Sequence, residues 1–185
     1  MQLTVYAYGH PVLKKIANEI SREEFNSLGN LVQDMYETMY KTSGVGLAAP
    51  QVGLSVRVFV VDTVQVKEEL KIENPIKKAF INPVKIEEWG KMWGYEEGCL
   101  SFPDINANVD RPENIRIKYL DENFVEHVEV FNGFNARVIQ HEYDHLDGIL
   151  FVEKFKPLKR RLLDKKLEKI KKGEIQTKYP MKFQK

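Results

Sequence analysis

One nine-residue stretch, Gln140-His141-Glu142-Tyr143-Asp144-His145-Leu146-Asp147-Gly148, restricts the fold more than any other part of the chain. Within it His141 and His145 stand four positions apart. A helix puts residues at that spacing on one face, one turn apart, where two imidazoles can be aimed at a single metal ion. Glu142 is rotated by about 100° from His141 around such a helix. That placement is poor for a third ligand and good for reaching a water on the metal. Histidine is scarce, four in 185 residues, and two of the four fall in this motif. The spacing predicts a helix over roughly residues 134–147, preceded by Gly133 and ended by Gly148, around which the remaining elements are organised.

The length suits one domain, residues 1–185, with a real core. No run of about 18 apolar residues exists, which argues against a membrane span. Met1-Gln2-Leu3-Thr4-Val5-Tyr6 lacks the charged and apolar regions of a signal peptide. A single cysteine, Cys99, leaves no intramolecular disulfide to form. A reducing cytoplasm fits these features best, and neither DNA nor a membrane is expected as a partner. The net charge of +1 hides an asymmetry: residues 154–185 hold 13 Lys/Arg and 3 Asp/Glu, so the remainder is acidic. A basic tail on an acidic body suggests an anionic partner for the tail, set against the simpler reading of a solvated lysine-rich helix.

Along the chain, residues 10–17 read as a short helix with Pro11 in its first turn. Ser21 and Glu24 form a capping-box pair, and Leu28, Leu31, Val32, Met35 and Met39 then recur at helical spacing up to Ser43-Gly44. The small-residue segment Gly44 to Gly53 permits close approach of another backbone and could take a peptide as an added strand. Val56 to Val61 reads as a buried strand, and residues 63–78 as a surface excursion. Phe80 to Trp89 and Lys91 to Glu97 read as strands joined at Gly90. Asn114 to Leu120 and Phe124 to Phe131 read as a hairpin. Pro157 opens a last helix with Leu158, Leu162, Leu163, Leu167 and Ile170 on one side and basic residues on the other.

A hydrolytic metal needs three protein ligands and one open position. In the pattern His-Glu-x-x-His-x-x-Gly-x-x-His, the last histidine position here is Phe151. The last helix offers one glutamate, Glu168, in a lysine-rich stretch, and His10 and His127 are remote. Cys99 is the best remaining third ligand, since its thiolate is a strong donor. Such a site accepts Fe(II), Zn, Ni or Co. A zinc endopeptidase of another kind and a catalytically inactive binding protein docking through its tail are the rival readings.

Three segments together resemble the peptide deformylase family. They are Gly44-Val45-Gly46-Leu47-Ala48-Ala49-Pro50-Gln51, Glu97-Gly98-Cys99-Leu100-Ser101 and Gln140 to Gly148, complete and in the family's order. The resemblance spans about residues 5–155 and leaves 63–78 and the tail without a matched motif. It implies an α+β fold with mixed or antiparallel strands wrapped around the metal-binding helix, to which the residues themselves add an N-terminal helix and a C-terminal basic helix. It implies removal of the formyl group from the formylmethionine of nascent polypeptides. Cys99, His141 and His145 would bind one divalent metal, usually ferrous in the cell, and Glu142 would be the acid/base for a metal-bound water. Gln51 and the Leu100 N–H would face the formyl oxygen. Gly46 would hold the substrate backbone, beside Gly98, and Glu97 would pair with Arg111. Val45, Phe134 and Val138 are the expected walls of a pocket for the methionine side chain. Because the substrate emerges from a ribosome, the basic helix is expected to dock on ribosomal RNA phosphate.

Overall fold

The structure is a computed structural model describing residues 1–184. A short strand β1 (Val5–Tyr6) leads to a 3-10 turn at Pro11–Lys14, and two helices follow, α1 (Arg22–Ser27) and α2 (Leu31–Lys41). Next come β2 (Gly46–Ala48), β3 (Val58–Asp62) and the one-turn helix α3 (Lys67–Leu70). Two long strands, β4 (Lys77–Cys99) and β5 (Phe102–Leu120), and the shorter β6 (Glu126–Asn132) run into the motif helix α4 (Gly133–Leu146). The basic helix α5 (Pro157–Lys172) and strand β7 (Met181–Lys182) follow.

Five strands form one antiparallel sheet in the order β2-β3-β4-β5-β6. β3 has no polar face because both of its faces are covered. Phe59 and Val61 pack in a core with Ala136, Ile139 and Leu146 of α4, while Val58 and Val60 pack with Met35 and Met39 of α2. An unbroken apolar run is what such a strand requires. β5 alternates in burial along its length, but its inward residues serve two cores. Ile115, Ile117 and Tyr119 join the core of α4, whereas Phe102, Ile105, Ala107 and Val109 pack with Phe151, Phe155, Leu167 and Ile170. Held between these layers, α4 is buried at every residue from Asn135 to Leu146. The arrangement is the expected α+β fold of strands around a central helix. No helix among the described residues is long and apolar enough to cross a membrane.

Several local expectations need correction. The capping box at Ser21 forms as read, with Ser21 N–H donating to Glu24 and Glu24 N–H donating back to Ser21, but it opens a helix of only six residues. Gly29 takes φ +63° and breaks the helical periodicity into α1 and α2. The strands expected on either side of Gly90 are one strand, β4, in which Gly90 (φ +94°) sits at a register shift between Trp89 and Met92 instead of a turn. Pro112 lies opposite that shift, the place in a sheet where a missing N–H is tolerated, so β5 starts at Phe102 instead of Asn114. The leucines of α5 do not form one buried stripe. Leu167 and Ile170 are buried, but Leu158 and Leu162 are 71% and 73% exposed. Beyond α5, β7 pairs in parallel with β1, Val5 with Met181 and Tyr6 with Lys182. Neither strand has enough residues to show a period.

Candidate metal centre and active-site cleft

Two elements meet to make the site. β4 ends at Cys99, and Leu100 and Ser101 turn the chain into β5, with Cys99 opposite Phe102. α4 presents His141 and His145 to that turn. The Cys99 Sγ and one ring nitrogen of each histidine all lie within 4.8 Å of one another, and Cys99 Sγ is 3.4 Å from His145 Nε2. A tetrahedral metal with bonds of about 2.0 to 2.3 Å spaces its ligand atoms about 3.5 Å apart. The donor set therefore fits one divalent ion held by a thiolate and two imidazoles, and no other such cluster of His, Cys, Asp or Glu occurs among the described residues.

A buried charge network orients the two histidines. His141 Nδ1 is 2.9 Å from Glu97 Oε2, which leaves Nε2 for the metal. Arg111 binds Glu97 through Nε at 2.7 Å and Nη2 at 3.0 Å, the pairing that the family resemblance implies, and reaches Asp144 through Nη1 at 2.7 Å. Arg137 adds a bond to Glu97 at 2.8 Å and donates to the carbonyls of Val109 and Trp93. Burial opposes the Glu97 charge, but its bonds to His141 and Arg111 outweigh it and hold the carboxyl well below the usual carboxylate range. Burial also opposes charge on His141, and the bonds to Cys99 and Glu97 raise its pKa well above the usual value in the metal-free protein, where a proton holds the Nε2 position that a metal would take. Burial and the neighbouring His141 and Arg111 push His145 well below the usual value, so its ring stays neutral and able to ligate.

Glu142 is buried beside these three donors. Its Oε2 has no hydrogen-bond partner among the described residues, and burial pushes its carboxyl up to about 7. Gly46 on β2 lies directly against it: a Cβ at Gly46 would stand 2.5 Å from Glu142 Oε1. The first motif thus needs a glycine there because a carboxylate already fills the space where a side chain would go. Gln51 is held by the Ala48 N–H, which donates to its Oε1 at 2.9 Å. That contact orients the Gln51 Nε2 toward Cys99 Sγ and Ser101 Oγ, each at 3.4 Å.

A cleft of about 380 Å³ opens onto these groups, and Val45, Gly46, Gln51, Gly98, Cys99, Leu100, Phe134, Val138, His141 and Glu142 all line it. His145 sits deeper, 1% exposed, against Cys99. The residues expected at the metal, the formyl group and the methionine pocket are therefore brought to one place. Sequence reasoning missed three contributors. Arg137 and Asp144 lie on the motif helix at four before and three after His141, spacings that place them near the metal face and could have flagged them. Tyr179 also lines the cleft, and nothing in its neighbourhood of sequence marks it.

The sequence profile of the polypeptide deformylase family matches residues 2–161. A peptide deformylase of Cytophaga hutchinsonii is 53% identical over 97% of this chain and 96% of its own length. One of Flavobacterium psychrophilum is 46% identical over 99% and 97%. Among solved structures, a peptide deformylase from Legionella pneumophila is 35% identical, covers 96% of this chain and 99% of its own, and superposes with a TM-score of 0.81. The enzyme from Synechococcus elongatus in complex with actinonin is 38% identical, with coverages of 89% and 87% and a TM-score of 0.78. Likeness of this extent, in sequence and in fold, over nearly the whole length of each protein, means that the chain belongs to the polypeptide deformylase family of hydrolytic enzymes.

Proposed function

We propose that this chain removes the N-formyl group from the N-terminal formylmethionine of newly made polypeptides and releases formate, acting as one catalytic domain in the cytoplasm. The observation that carries the proposal is the joint placement, in one cleft, of the Cys99–His141–His145 donor set and a buried Glu142 with a free carboxylate oxygen. A divalent ion held by those three residues would polarise the formyl carbonyl and acidify a water. Fe(II) fits the cellular setting, and Zn, Ni or Co fit the same donors.

Glu142 takes the proton of the attacking water and later gives it to the leaving amine. A carboxyl with a pKa near 7 can do both at neutral pH. The Gln51 Nε2 and the Leu100 N–H meet the negative charge that develops on the formyl oxygen, and each such donor is worth about 3 kcal/mol when fixed beforehand. Gly46 lies on β2, the edge strand of the sheet, where an extended substrate backbone can pair, and Gly98 lets that backbone pass close to β4. Val45, Phe134 and Val138 form the apolar side of the cleft for the methionine side chain. The acyl group lies between Cys99 and Gln51, a space suited to the smallest acyl group. Metal analysis together with hydrolysis of a formyl-Met peptide and its acetyl analogue tests the proposal. Metal-dependent release of formate with little release of acetate is expected; cleavage at internal peptide bonds, or no hydrolysis by the metal-loaded protein, would refute it.

The outer face of α5 supports a second part of the proposal, docking on ribosomal RNA. Leu158 and Leu162 are exposed on the same face as Arg161, Lys165 and Lys169. Truncating the helix would strip Leu167 and Ile170 from the core, so charge reversal of Arg161, Lys165 and Lys169 is the cleaner test. Unchanged hydrolysis of a free peptide is expected, with ribosome binding that is weaker and less dependent on salt than that of the unaltered protein. Equal ribosome affinity before and after charge reversal would remove this part of the proposal.

A further inference from the structure

We propose that Tyr179 is a positioning residue for the hydrolytic reaction, holding from the C-terminal segment the turn that carries Cys99 and Leu100. The inference rests on the deformylase reading above and adds to it a residue outside all three motifs. The turn between β4 and β5 has only Leu100 and Ser101 at its tip, and three groups from elsewhere restrain it. Gln51 Nε2 approaches Ser101 Oγ at 3.4 Å. The Tyr8 N–H, just after β1, donates to the Ser101 carbonyl at 2.8 Å. The Tyr179 hydroxyl donates to the Leu100 carbonyl at 2.7 Å, across 79 positions of sequence.

The last of these contacts bears directly on chemistry. The Leu100 N–H and C=O lie on the two rigid peptide planes that flank one Cα. Releasing the carbonyl leaves the Leu100 ψ less restrained, and in a tight turn whose ends are fixed in β4 and β5 a change in ψ is compensated at φ, which turns the N–H; an oxyanion donor is effective only when its direction is set in advance. Tyr179 is itself well fixed. Ile175, Met181 and Phe183 on either side of it pack against the core that contains Phe102 and Ile170. The Val5 and Ala7 N–H groups donate to the carbonyls of Pro180 and Lys182 at 3.0 and 2.9 Å, and Thr177 Oγ1 donates to the Tyr179 carbonyl at 2.9 Å. The ring is half-buried and forms part of the cleft wall beside Cys99 and Leu100. A tyrosine serving only as packing would not need its hydroxyl on the carbonyl of the very residue whose N–H is the proposed oxyanion donor.

Tyr179→Phe removes one oxygen and keeps the ring, so it isolates the contact. With a formyl-Met peptide and rates expressed per mole of metal-loaded protein, kcat should fall about five- to twentyfold while KM stays within about twofold. Metal content and the thermal midpoint should stay near wild type. Amide hydrogen exchange at Leu100 and Ser101 should quicken by about tenfold, which a packing role would not produce. Tyr179→Leu removes the wall as well and should raise KM in addition. Unchanged kcat and exchange in Tyr179→Phe would overturn this proposal alone, and so would a loss of rate that tracks lost metal or lowered melting temperature. A metal-loaded wild-type enzyme that leaves formyl-Met peptides intact would overturn the deformylase reading and this inference with it.

Discussion

Replacing Gly46 with alanine adds a single methyl group at the closest contact in the cleft. The new Cβ would lie 2.5 Å from Oε1, 2.8 Å from Cγ and 2.9 Å from Cδ of Glu142, where ordinary contacts begin at 3.4 Å. The carboxylate must therefore move by about 0.9 Å, or β2 must draw back by as much. β2 has little freedom, since Leu47 and Ala48 are fully buried and paired with Val60 and Phe59 of β3. Glu142 is the softer partner. Overpacking of this kind costs about 1 to 3 kcal/mol, which in a chain of this size lowers the thermal midpoint by about 2 to 12 °C. The effect on rate should be larger than the effect on stability, because a displacement of about 1 Å in a reacting group can cost about 10²-fold. Gly46→Ala is therefore expected to fold, to keep its metal, and to lose kcat by about 10²-fold or more on a formyl-Met peptide. Metal content by elemental analysis, melting by calorimetry and steady-state formate release together check each part. A variant with wild-type kcat and normal metal content would refute the argument that Gly46 is required by the position of Glu142.

Four further outcomes are expected. Cys99→Ser should lose most of its metal and its activity, because a neutral hydroxyl is a far poorer ligand than a thiolate; full metal content in the variant would remove Cys99 from the ligand set. Glu142→Ala should keep the metal and lose turnover by at least about 10²-fold, and metal loss would show instead that the residue ligates or supports the fold. Gln51→Ala should keep the metal and lose kcat by about 10²-fold, so an unchanged kcat would end its role as an oxyanion donor. Arg111→Met leaves two buried carboxylates, Glu97 and Asp144, without their shared partner. A loss of about 3 to 5 kcal/mol in chemical denaturation is expected, and a loss below about 1 kcal/mol would mean that Arg137 and Lys154 suffice.

Much of the site was legible in the sequence because its parts are local patterns. His141, Glu142 and His145 are related by helix geometry alone. Cys99 is 42 positions away and was reached by the scarcity of other ligands and by the resemblance. What local pattern cannot express is a contact that depends on the path of the whole chain, which is why Tyr179 went unread, whereas Arg137 and Asp144 stood at helical spacings from His141 that could have marked them. The fold divides in the same way. β3 and α4 carry strong local signals. Gly90 looked like a joint between two strands, and β5 was read only from Asn114, because the register shift that accommodates Gly90 and Pro112 exists only once β4 and β5 are paired. Gly29 had the opposite effect: a continuous apolar spacing concealed a real break between α1 and α2.

The pairing of β1 with β7 also has a consequence for the order of synthesis. It joins segments 176 positions apart. A ribosome adds about 5 to 20 residues per second, so β1 waits about 9 to 35 s for its partner. During that interval the five-stranded sheet, α2 and α4 can all be translated, while the clasp on the Leu100 turn cannot close. The Leu100 turn therefore gains its Tyr179 contact only after the sheet and both helices have been made.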